Sequence, residues 1–148
     1  MQVPQPRVVV LEDMDRKPGL GAFIGDVHAA ILQALGCVGY VTNGAVRELP
    51  TIHKLGMHLF AGDVAVSHAY AHIFDIGATV NLGGMLVKQG DLLHGDRHGV
   101  LTVPLEIATK IPAEAARLRD SENRVTRFCA SPEFSVEKLA EVLKRESR

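Results

Sequence analysis

Two strand-forming runs near the start of the chain, the first of them β-branched, restrict its fold more than any other feature. RVVVLED at residues 7–13 lacks the alternation of a strand with one wet face and reads as a strand covered on both sides, and CVGYVT at 37–42 reads as the next strand. Between them VHAAILQALG places Ile31, Leu32 and Leu35 on one helical face, and Gly36 supplies a stop. Strand, helix and strand in that order imply parallel pairing with a right-handed crossover. The intervening DRKPGLGAFIGD, with Pro18, Gly19, Gly21 and Gly25, reads as an irregular loop. NGAVRELPTIHKLG turns into a second helix closed by Gly56. The fold class is α/β.

Beyond that helix the pattern changes. MHLFAGD and ATVNLGGMLVKQGDLLHGDRHGVLTVP carry short apolar runs between Gly-Gly, Gln-Gly-Asp and His-Gly-Asp, which are hairpin and tight-turn signals, so a β-rich hairpin layer is expected. VAVSHAYAHIFDIG, between them, fits strand or helix alike. From Leu105 the chain is charged and helix-favouring, in two pieces broken near SPEF. Ser135 is placed to cap the second piece, ahead of Glu137, Leu139 and Leu143. The expected division is residues 1–104 and a helical C-terminal extension, 105–148. No internal repeat shows in the sequence. The first core strand begins almost at once, so either the domain is minimal or it lacks an N-terminal segment.

Composition removes several function classes. Net charge is −1 with histidines neutral and no basic stripe appears, so the electrostatic footprint of a nucleic-acid binder is missing. Trp is absent and aromatics are 5%, which argues against base-stacking platforms. No apolar run approaches a membrane span and no signal segment opens the chain; a soluble, cytoplasmic protein is expected. Cys37 and Cys129 read as buried free thiols, with a pairing between them as the alternative.

Ligands of open α/β sheets gather beyond the carboxyl ends of the strands, and two loops lie there. In GAFIGDVHAA, Asp26 stands where an N-cap belongs, and the amides of Val27 and His28 are donors of a first helical turn. The plain alternative, that Asp26 only caps, is strong for this loop alone. In NGAVRE, Arg47 and Glu48 fall at the start of the next helix, where positive charge is disfavoured by the helix dipole. A solvated surface pair is the default there, yet local conflicts of this kind gather at functional sites. Asp26 and Glu48 offer hard oxygen ligands for magnesium or manganese, and Arg47 a planar fork for a carboxylate. His68 and His72 would share a face if helical, and His94 and His98 flank a turn. Neither pair has a third ligand at zinc spacing, so packing or hairpin-tip roles are favoured.

GAFIGD, NGAVREL, VSHAYAH and GGMLVKQGDLLHGDRHGV together resemble the family of the regulator of ribonuclease E activity A. That family also contains class II 4-hydroxy-4-methyl-2-oxoglutarate aldolases, which decarboxylate oxaloacetate as well. The resemblance runs from about residue 7 to about residue 104. It implies a swivelling β/β/α domain assembled into homotrimers or hexamers. It further implies a divalent cation, Mg2+ or Mn2+, with Glu48 as ligand and Asp26 as second acid acting through water on the metal. Arg47, with Gly25 and the amides of Val27 and His28, would hold a small 2-oxo acid. Aldolases of the family usually carry Asp where this chain has Glu48. The alternative within the same family is a non-catalytic, protein-binding regulator of ribonuclease E type.

Overall fold

The run RVVVL becomes strand β1 (Arg7–Leu11), and the glycine-rich stretch after it contains a further strand, β2 (Ala22–Ile24), before helix α1 (Asp26–Ala34). The same succession returns as β3 (Cys37–Thr42), β4 (Ala45–Val46) and α2 (Leu49–Lys54). A third pair, β5 (His58–Phe60) and β6 (Asp63–Val64), follows, and the next element is again a strand. This computed structural model describes residues 3–146, which divide into two units at Val103/Pro104.

The first strand of each pair joins one sheet in the order β1-β3-β5, the second strands join another in the order β2-β4-β6, and the pairings are parallel. The architecture is a mixed α/β arrangement of successive β-β-α units. Parallel pairing across α1 is as the sequence implies. The reading of residues 15–26 and of residues 43–48 as loops is corrected, because each contains a strand of the second sheet. Two or three residues are too few to carry a periodic signal, and the glycines beside them read as punctuation. Gly21 is instead a point of close approach: a Cβ there would lie 2.9 Å from the Cα of Ala69.

Ile24, Ala29, Cys37, Tyr40, Val46, Ile52 and Met57 form the core, drawing on both sheets and both helices. Burying such side chains is what holds short strands in place, at roughly 25 cal/mol per Å² of apolar surface. Neither cysteine is bridged; Cys37 is buried and Cys129 exposed. Tyr40 is 1% exposed, and burial pushes its phenol pKa up while the Thr42 side chain pulls it the other way. At the carboxyl ends of β1 and β3 a reciprocal clasp forms. The Asp13 amide donates to Asn43 Oδ1 at 2.6 Å, and Asn43 Nδ2 donates to the Asp13 carbonyl at 3.0 Å.

The hairpin layer is present. Strands β7 (Val80–Leu82) and β8 (Met85–Val87) pair antiparallel around Gly83-Gly84, both at positive φ. Strands β9 (Leu92–Asp96) and β10 (Gly99–Val103) do so around Arg97-His98. The HGDRHG stretch is thus a hairpin tip, where the His98 amide donates to Asp96 and holds that carboxyl below its usual range. Residues 65–79 form no helix; the segment makes one bridge, Ala22 to His68, so His68 and His72 share no helical face.

In the second unit, α3 (Leu105–Ala108) precedes α4 (Ile111–Cys129) and α5 (Val136–Glu146), and α4 packs on α5. Ser135 caps α5 as expected, its hydroxyl accepting the Lys138 amide at 3.2 Å. Arg124 forks onto Glu146 at 2.8 and 2.7 Å, and the Ser121 hydroxyl adds a third bond. These bonds hold the Glu146 carboxyl down to about 2. Among the described residues no helix is long and apolar enough to cross a membrane.

Two outcomes follow. Tyr40→Phe removes a buried hydroxyl that Thr42 satisfies only weakly, so urea unfolding is expected to show stability changed by less than about 1 kcal/mol. Because the folded pKa of Glu146 is depressed, its contribution is full above the ordinary value of 4.5 and is lost as pH falls toward about 2. Carboxyl-carbon NMR of the full chain should show this acid titration, and Glu146→Gln should remove it.

Candidate functional site

The two loops singled out in the sequence meet at the N-terminus of α1. Ile24, wholly buried, ends β2 and fixes where that helix begins, and Val46, 2% exposed, ends β4 directly before Arg47. The Arg47 amide donates to the Ile24 carbonyl at 3.2 Å, so the second sheet itself locks one loop to the other.

Glu48 then does two things. It is the N-cap residue of α2, with Pro50 in that helix's first turn, and its backbone is left-handed at φ 58, ψ 35. Among the described residues it is the one non-glycine with positive φ. Its side chain reaches back across Gly25: Oε1 lies 2.7 Å from Arg47 Nη1, and Oε2 accepts the Asp26 amide at 2.9 Å. The carboxylate therefore sits between a guanidinium and the positive end of α1, which relieves the unfavourable placement of an arginine there. A Cβ on Gly25 would press against Glu48 Oε2 and lie 2.8 Å from Arg47 Cζ and Nη2. Only glycine leaves both side chains their place. Arg47 Nε is buried and has no acceptor.

Magnitudes show how firmly Glu48 is held. A left-handed non-glycine residue costs roughly 1–2 kcal/mol. Against this stand a partly exposed ion pair at about 0–1 kcal/mol and a charge at a helix end at about 0.3–1 kcal/mol. The terms nearly cancel.

Asp26, Arg47 and Glu48 are thus brought together, and two expectations are corrected. The N-cap of α1 is Gly25, with Asp26 the first helical residue, because the cap's role of receiving an orphan amide passes to Glu48. The Val27 amide is not a free donor, since it bonds Asp26 Oδ1 at 2.7 Å. His28 follows in the same turn and stacks on Phe23, ring centroids 5.3 Å apart, with His68 beyond at 6.2 Å. These rings border an open basin of about 710 Å³ that Ser67 and Tyr70 also line. Sequence reading missed this association of His28 with His68, because it depends on the bridge from Ala22 rather than on spacing.

Residues 1–102 match the family described as RraA-like: Aldolase/RraA. The chain belongs to that family. It is 30% identical over 84 residues to a Halalkalibacterium halodurans protein provisionally named 4-hydroxy-4-methyl-2-oxoglutarate aldolase, a match covering 56% of this chain and 40% of that protein. An uncharacterised Pseudomonas syringae protein of known structure superposes with TM-score 0.74 at 21% identity, over 93% of this chain and 63% of its own. Streptomyces coelicolor RraAS2, described as an unusual member of the RNase ES inhibitor RraA protein family, superposes with TM-score 0.63 at 24% identity, over 78% and 59%. These two likenesses establish the RraA-like fold. The chain spans less than half the length of the named relative.

A divalent cation is the group this family resemblance implies. Among the described residues no three His, Cys, Asp or Glu side chains are grouped to hold one. The donor chemistry nonetheless fits a hard cation: magnesium is commonly held by one or two carboxylates, with water and substrate oxygens completing its shell. Glu48 and Asp26 would be those carboxylates, and Glu48 would have to leave Arg47 to serve.

Gly25→Ala is expected to change overall stability by less than about 1 kcal/mol, since the crowded atoms end flexible side chains. It should displace Arg47 and Glu48, and the Asp26 amide resonance should shift as it loses its acceptor. An unmoved resonance would contradict the packing described.

Proposed function

We propose that this site binds a small 2-oxo acid and cleaves a carbon–carbon bond in it with a divalent cation, releasing pyruvate through its enolate. The substrates are of the 4-hydroxy-4-methyl-2-oxoglutarate class, with oxaloacetate decarboxylated at the same centre. The observation that carries the reading is the convergence of Arg47, Glu48 and the amide end of α1 around Gly25, sustained by a strained backbone at Glu48. The name of the Halalkalibacterium halodurans relative points the same way.

Arg47 presents a planar fork to the substrate carboxylate and fixes its orientation. Once Glu48 leaves Arg47 for the cation, the Asp26 amide at the helix end is freed to face the negative charge that develops on the enolate. Magnesium or manganese on Glu48 and Asp26 would supply Lewis acidity at the 2-oxo group. In the aldol cleavage, the C4 hydroxyl gives up its proton as the C3–C4 bond breaks, leaving a carbonyl product and the enolate. Asp26, at the first position of α1, holds the water that carries this proton and returns one to C3. Oxaloacetate loses carbon dioxide to the same enolate.

A second reading is favoured by one surface. Val66, Tyr70, Phe74 and Ile76 are each at least 88% exposed in a segment of little regular structure, an uncovered apolar stretch of the kind that meets another protein. Within the lyase reading this stretch serves a homotrimer or hexamer. For a non-catalytic regulator of ribonuclease E type it would be the partner surface.

Pyruvate release from oxaloacetate and from 4-carboxy-4-hydroxy-2-oxoadipate, with magnesium or manganese, separates the two. The lyase requires activity that chelation abolishes and that Arg47→Lys lowers by about 100-fold in kcat/KM, because a point charge cannot replace the fork. Activity that survives chelation, or none with either cation, favours the regulator.

A further inference from the structure

We infer that Glu48 is a displaceable internal anion, whose carboxylate occupies the seat a ligand carboxylate takes, so that occupation of this site is regulated by competition within the chain. The inference rests on the reading that Arg47 and the end of α1 form a carboxylate seat. Both partners that such a ligand needs are held by one side chain: Arg47 Nη1 by Oε1 and the Asp26 amide by Oε2. Glu48 thus satisfies, from within the chain, both a guanidinium and a helix end.

Three further observations make it an occupant that can leave. Its backbone is in the left-handed region, so departure is not opposed by an ideal local conformation. Its side chain is 38% exposed and has open solvent to swing into. Arg47 keeps a buried Nε with no acceptor, so Glu48 does not satisfy all the donors of the fork and a second carboxylate has a donor to gain. The length of the side chain matters as well. The carboxylate follows two methylenes from a residue that caps a different helix, and it meets the Asp26 amide by passing over Gly25, where any side chain would block it. An aspartate at this position would stop one methylene short.

Pyruvate titrated into the full chain by calorimetry, in buffer stripped of divalent metal over a chelating resin, tests the competition. Glu48→Gly suits the left-handed backbone and removes the internal anion; it should bind pyruvate about fivefold more tightly than the unmodified chain. Glu48→Asp should lie between them. In the unmodified chain the Glu48 side-chain carboxyl carbon should move to the resonance of a solvated glutamate as pyruvate saturates. That readout needs no variant to fold. Unchanged affinity in Glu48→Gly, or a Glu48 resonance that stays put while pyruvate binds, overturns the inference and leaves the carboxylate seat standing, provided Arg47→Ala abolishes binding. No binding to the unmodified chain or to Glu48→Gly removes the seat itself, and the inference with it.

Discussion

Parallel pairing of β1, β3 and β5 is the constraint from which the rest of this fold follows. Three strands running the same way release the chain at one end of their sheet, and each exit leads to a strand of the second sheet, after two residues from β3 and β5 and after a longer loop from β1. The loops that leave β2 and β4 must then lie side by side, since those strands are themselves paired. Arg47 and Asp26 meet for this reason, although neither loop specifies the other. The backbone bond from Arg47 to Ile24 sets the meeting, and side-chain chemistry refines it.

Electrostatics at that meeting point is a balance among three charged or polarised groups. A guanidinium and a helix N-terminus repel one another when brought close, and a carboxylate between them turns the repulsion into two contacts. The arrangement is only marginally favourable once the backbone at Glu48 is counted. A site whose filling is nearly neutral in free energy is one that a small difference in partner can empty. This is where geometry and function join, because a rigidly satisfied arginine would have little left to offer a ligand.

Much of this was legible in the residues. A β-branched run announced β1, CVGYVT announced β3, Gly83-Gly84 announced its hairpin and Ser135 the start of α5; the His94-Gly95-Asp96 signal marked the second hairpin but lies within β9, and the chain turns at Arg97-His98. The pair of loops carrying Asp26, Arg47 and Glu48 could be named as well. Three things were not legible. The second sheet consists of strands of two or three residues, below the length at which periodicity speaks, so the recurring β-β-α unit is visible only as topology. The cap of α1 was assigned to Asp26, since a sequence cannot show that a glutamate from another loop has taken over that task. The stacking of His28 on Phe23 near His68 needed the isolated bridge at Ala22.

The clasp between Asp13 and Asn43 has a consequence of a different kind. By donating and accepting at once, the Asn43 amide behaves as one more rung of the parallel ladder beyond Thr42. It is followed by Gly44, the neighbour that least hinders attack of the next peptide nitrogen on an asparagine side chain. Loss of ammonia there would turn a donor into an anion facing the Asp13 carbonyl, beside an aspartate already charged. Such a change would loosen the fastening that ties the two strand ends.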